Sequence, residues 1–121
     1  MRPRDPRVAL ADVLAAGARI ESFLDGRSFQ DYRSDPLLSS AVERQFEIAG
    51  EALVRALRAD ETLVERLPET RDVIGFRNVL AHGYDTVSAP LVWSIAHDNL
   101  PGLLVAVARE LDAYGGVPDA V

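Results

Sequence analysis

Four residues whose types suit phosphate chemistry fall within "RNVLAHGYD", residues 77–85: Arg77, Asn78, His82 and Tyr84. His82 is one of only two histidines in the chain of 121 residues. Arginine offers a planar fork of donors that matches a phosphate and stabilises charge as it develops. Histidine moves a proton near neutral pH. Together they suffice for metal-free cleavage of RNA, in which a 2′-hydroxyl attacks the neighbouring phosphorus. One group takes the hydroxyl proton and another protonates the leaving oxygen. Asn78 can orient the histidine or hold a phosphate oxygen.

The spacing sets a geometric condition on that chemistry. Successive residues of an α-helix turn by about 100°, so Asn78 and His82 share a face. Arg77 and Tyr84, seven apart, nearly align if the helix continues that far. Arg77 and His82 are five apart and lie about 140° from each other. They meet only if the helix unwinds near Gly83, if the long arginine bends round, or if two copies face each other across a symmetric dimer. A plainer reading competes: histidine suits the negative end of a helix dipole, and a helix arginine is usually solvated or salt-bridged. Spacing alone favours this plainer reading.

The elements that must position these residues read as helices throughout. A first helix is expected over about Pro6 to Leu24, with Leu10, Val13, Leu14, Ile20, Phe23 and Leu24 on its apolar face. "RSFQDYRSD" has room for one helical turn. Asp35 as cap and Pro36 as first helical residue open a second helix to about Arg58, with Leu38, Val42, Phe46, Ala49, Leu53 and Leu57 as its core stripe. "ADETLVERLPET" reads as a turn or two of helix. Thr70 is expected to cap the third main helix, which carries the 77–82 segment and stops at Gly83. Ser88 is expected to cap the fourth, in which Pro101 should kink or break the helix. Strand signals are almost absent. The expected fold is all-α: an up-down antiparallel bundle of four main helices plus short helical turns. It forms one domain over 1–121, with a core at about 8–112 and a loose tail at 115–121.

Composition narrows the function classes. Apolar residues make up 48%, which argues against disorder. A chain of this size hides roughly two thirds of its unfolded surface. Cysteine is absent, so disulfides and thiolate metal sites are excluded. No uninterrupted apolar run reaches the ~20 residues that span a bilayer. The arginine-rich start followed by apolar residues loosely mimics a signal peptide, but Asp12 interrupts it and the helical phase continues through Leu24. A cytoplasmic location is expected. The net charge of −6 argues weakly against a general nucleic-acid coat. All thirteen basic residues are arginine, so any anion site must be built from arginine forks.

Beyond spacing, three segments carry a resemblance. "GFRNVLAHGYD" resembles the Arg-x4-His-x-Tyr signature of the HepT-like branch of the HEPN superfamily. "ERQFEIAGEAL" is similar to that family's second-helix segment, with Ala49 where the Ile-Gly-Glu-Ala core carries isoleucine. "VWSIAHDNLPGL" resembles its last-helix segment. The likeness spans about residues 8 to 112. It implies a HEPN-like helical bundle that forms a homodimer, and a metal-independent endoribonuclease that needs no cofactor. It further implies the toxin of a type II/VII-like toxin–antitoxin pair, partnered by an MNT-type nucleotidyltransferase antitoxin. Carried over by position, Arg77 would bind the scissile phosphate, His82 would serve as acid and base, and Asn78 would support them. Tyr84 would line the site and accept AMP from the partner. Transfer RNA is one kind of target in this family. The alternative is a module that binds RNA or nucleotide, or docks the nucleotidyltransferase, without cleavage. A purely structural dimer is the third reading.

Other polar residues have bland readings that outweigh sharper ones. His97 beside Asp98 suggests a dyad or metal ligand, but no supporting ligand spacing exists, so a packing or interface role is preferred. Arg44, Glu47 and Glu51 form one side of the second helix, read as a salt-bridged face; Arg44 or Glu51 lining a cleft is the functional alternative. Trp93 is read as packing rather than a base-stacking platform. Arg2, Arg4 and Arg7 form a small basic start.

Overall fold

The computed structural model describes residues 5–82 and 87–117. Among them the chain is an all-α bundle of five helices: α1 (Arg7–Leu24), α2 (Phe29–Ser34), α3 (Pro36–Ala59), α4 (Thr70–His82) and α5 (Ala89–Ala113). A 3₁₀ turn, Glu61–Glu65, joins α3 to α4. Tyr84 and Gly83, and the first two arginines of the basic start, lie outside the described residues.

Capping chemistry sets most of the boundaries. Asp35 accepts from the Leu38 backbone N–H at 3.1 Å, with Pro36 in the first helical position. Ser28 and Asp31 form a reciprocal capping box at the start of α2. Ser88 accepts from the Leu91 N–H at 3.4 Å. Gly115 and Gly116, with φ of 98° and 85°, close α5 by returning N–H bonds to Asp112 and Leu111, so the start of the tail is an ordered helix stop.

Thr70 departs from the expectation. It is the first residue of α4 and fully buried, and its hydroxyl finds no hydrogen-bond partner among the described residues. The helix opens on the Glu69 carbonyl, which accepts from Val73 N–H at 3.1 Å. Thr70 therefore fills space beneath the helix rather than capping it.

Of the two outcomes expected at Pro101, the break does not occur; α5 runs through it by way of a π turn at Ile95–Asn99. Leu100 N–H donates to the Ile95 carbonyl, five residues back. Proline has no N–H to give, and the wider turn absorbs that loss without ending the helix. By length and composition α5 would suffice to cross a membrane. Within the bundle it gives Val92, Ile95, Leu100, Leu103, Val107 and Leu111 to the core, while Leu91 and Val105 stay exposed.

The bundle has two adjoining cores. α3 packs against both α1 and α4. One core gathers Leu10, Val13, Leu53, Leu63, Val73, Leu103 and Val107. The other gathers Ile20, Tyr32, Val42, Phe46, Phe76, Val92 and Leu100. Phe46 of α3 meets Phe76 of α4 edge to face, with ring centroids 5.1 Å apart. That contact sits one residue before Arg77 and fixes the rotation of α4 on α3.

The 3₁₀ turn is clamped to the end of α5. The Asp60 carboxylate accepts from the Thr62 hydroxyl at 2.6 Å and from the Tyr114 phenol, and Arg66 donates to Glu110 at 2.7 Å. The Thr62 hydroxyl and then the Tyr114 phenol hold the Asp60 carboxyl below the usual carboxylate range. A depressed folded-state value means stability that is complete above the unfolded value of about 3.9 and is lost as pH falls through the folded one. Asp60→Asn is therefore expected to melt a few degrees below the parent at pH 7, with the gap narrowing below pH ~4. A gap of constant size in thermal melts from pH 7 to pH 3 would remove the charge from the explanation.

Candidate active site

α4 is one unbroken α-helix from Thr70 to His82. Arg77 and His82 therefore stand about 140° apart around the axis, and the expected unwinding near Gly83 lies outside the described residues. The arginine does not bend round. Its side chain runs toward α3, where Nη2 lies 3.6 Å from Glu51 Oε1. Nη1 donates to Asn78 Oδ1 at 2.9 Å. Nε is buried and has no acceptor among the described residues. Asn78 shares a face with His82, as expected, and its carbonyl oxygen accepts from the arginine.

The Arg77–Glu51 pair is long for a hydrogen bond, and the Glu51 side chain is 47% exposed. Such pairs contribute little and are easily exchanged. A phosphate, which binds the arginine fork with two parallel hydrogen bonds, competes well for it. Glu51 thus keeps the guanidinium in place without closing it off. Arg44 is engaged elsewhere, 3.5 Å from Glu47 on the exposed face of α3.

His82 ends α4 and is exposed. No hydrogen bond or ion pair among the described residues holds it. It is therefore accessible to substrate or to another chain, whereas Arg77 is half-buried.

The second histidine serves a different purpose. His97 Nδ1 lies 2.8 Å from the Trp93 carbonyl, which fixes the proton on that nitrogen because a carbonyl only accepts. Its ring lies over Trp93 at 4.1 Å, and Trp93 also meets Phe29 and Tyr32. Asp98 accepts from Ser94 at 2.9 Å rather than from His97, so the pair is not a dyad. Trp93 packs, as the sequence indicates. The ring of His97 borders a depression of about 350 Å³ shared with Glu21, Arg27 and Pro101, separate from the 77–82 segment.

Sequence reasoning missed one contributor. Gly50 is buried in the middle of α3 directly beneath Arg77. The signal available was a glycine inside an otherwise good helix, a costly choice that calls for a packing reason.

Residues 13–110 match the family described as "Ribonuclease HepT-like". The chain belongs to this family of ribonucleases. The HepT-like chain is also 28% identical over 103 residues to the protein named "Putative RNase MJ1380" of Methanocaldococcus jannaschii, covering 84% of this chain and 92% of that one. A protein of Caldanaerobacter subterraneus named "Putative RNase TTE0752" is 28% identical over 100 residues, covering 83% and 88%. A second protein of M. jannaschii, named "Putative RNase MJ0127", is 25% identical over 103 residues, covering 84% and 83%. No solved structure matches the HepT-like chain.

Proposed function

We propose that this ribonuclease is a metal-independent endoribonuclease whose reaction centre is a cleft shared by two copies of the chain, each giving Arg77, Asn78 and His82. The observation that supports it best is the unbroken helix from Arg77 to His82. It turns the two key side chains away from each other within one chain, and a second copy would bring an arginine and a histidine to one phosphate.

In such a cleft the 2′-oxygen forms a bond to phosphorus while the bond to the 5′-oxygen breaks. At each of two symmetry-related sites His82 of one copy takes the 2′-hydroxyl proton while water protonates the departing oxygen, and Arg77 of the other copy holds the phosphate. The arginine forks neutralise the charge that builds on the phosphoryl oxygens. The products are a 2′,3′-cyclic phosphate and a 5′-hydroxyl end.

The biological role in this reading is that of the toxin in a toxin–antitoxin pair, acting on cytoplasmic RNA, transfer RNA among the candidates. An MNT-type nucleotidyltransferase is the proposed antitoxin, attaching AMP to Tyr84. The added phosphate would then occupy the arginine that substrate needs.

The test uses purified protein and cellular RNA in EDTA. Cleavage is expected, with cyclic-phosphate ends, and a 2′-deoxy residue at the cut site should block it. Failure to cut any RNA pool would sink the reading. Binding without turnover is the second reading, favoured by the same separation of Arg77 and His82. It predicts heat on titration with RNA and intact RNA afterwards.

A further inference from the structure

The glycine beneath Arg77 invites a comparison with the other tight glycine in the bundle. A Cβ built on Gly17 of α1 would meet the methyl carbons of Leu104, the nearest at 2.4 Å. Those are the far ends of a flexible side chain and can turn aside. A Cβ built on Gly50 would lie 2.3 Å from Arg77 Cβ and 2.7 Å from Arg77 Cγ. These atoms sit at the root of the side chain, and Cβ is fixed by the α4 backbone. No change of rotamer moves it. Relief requires α4 itself to shift on α3.

We infer that Gly50 is a positioning residue: the notch it leaves in α3 seats the stem of Arg77 and fixes where its guanidinium emerges. This rests on the reading of Arg77 as the phosphate-binding group. Three observations converge on it. The notch receives the base of the side chain. The next residue on α3, Glu51, meets the tip. The Phe46–Phe76 contact, one turn earlier on α3 and one residue earlier on α4, sets the rotation at which Arg77 enters. A guanidinium whose stem is seated in this notch arrives at substrate with less left to order, and small misplacements of such a group carry large rate costs. Gly50 touches neither substrate nor reacting atoms; it acts through Arg77.

Matched substitutions test this. Gly50→Ala and Gly17→Ala each add one methyl group at a tight contact between helices. Gly75→Ala adds one on α4 where nothing lies within 4 Å. Wild-type turnover is measured first, then kcat and KM of each variant well below its melting temperature. Gly50→Ala is expected to lower kcat by about ten-fold or more. Gly17→Ala and Gly75→Ala should keep wild-type kcat, although Gly17→Ala lowers the melting temperature too. Equal kcat in Gly50→Ala and wild type, or an equal fall in Gly17→Ala, overturns the inference. Should Gly50→Ala not fold, the double variant Gly50→Ala, Arg77→Gly decides. Return of a cooperative melt shows that residues 50 and 77 compete for one space, and no return overturns the inference. An inert wild type would instead retire the ribonuclease reading of the site, while the melts still judge the notch.

Discussion

His82→Ala is expected to cut RNA about 10²- to 10⁴-fold more slowly than the parent, the usual loss when a positioned acid or base is removed. The measurement is initial cleavage rate in EDTA against thermal unfolding of the same samples. His82 is exposed at the end of α4, so its removal should leave stability within about 0.5 kcal/mol. Loss of rate without loss of stability is the signature of chemistry. Arg77→Ala should lose about 10²- to 10³-fold but also melt earlier, because its stem and tip are packed against Gly50 and Glu51. Arg77→Lys should rescue little, since a point charge lacks the fork that grips two phosphate oxygens. Unchanged cleavage by His82→Ala would remove the histidine from the mechanism.

Mixing the two inactive variants should restore activity. In a dimer of one Arg77→Ala chain and one His82→Ala chain, the first supplies His82 and the second supplies Arg77. One complete pair then forms across the two-fold axis. Random exchange makes half of the dimers mixed, each with one of two sites intact, so recovery of about a quarter of the wild-type rate is expected. The variants are unfolded together, refolded and assayed, with each variant alone as control. If both groups worked within one chain, no mixture would hold a complete site and the rate would stay at the level of the controls. The unbroken helix from Thr70 to His82 makes the first outcome the expected one.

Much of the frame was legible because capping residues speak locally. Asp35 with Pro36, and Ser88, opened their helices as read. Thr70 misled because the same residue type also fills buried space, and only the packed bundle shows which role it takes. Pro101 correctly announced a lost hydrogen bond. Whether a chain answers that with a break or a π turn depends on what it packs against on both sides. At the site, the angular mismatch between Arg77 and His82 followed from counting residues and stands in the helix as observed. The partners of Arg77 did not follow, because Gly50 and Glu51 are more than twenty positions away and are brought there by the docking of α3 and α4. The expectation for Tyr84 falls outside the described residues.

The π turn in α5 has a consequence for how the bundle comes apart. An i→i+5 turn sets the residues after it out of step with those before. Val92, Ile95, Ala96 and Leu100 serve the core around Phe46, while Leu103, Val107 and Leu111 serve the core around Leu53. One continuous helix is thus shared lengthwise by two hydrophobic centres, like an axle through two wheels. Neither centre can open without loosening the rod that the other grips, so local breathing near Phe76 is coupled to the far end of the bundle and the domain gives way as one cooperative unit.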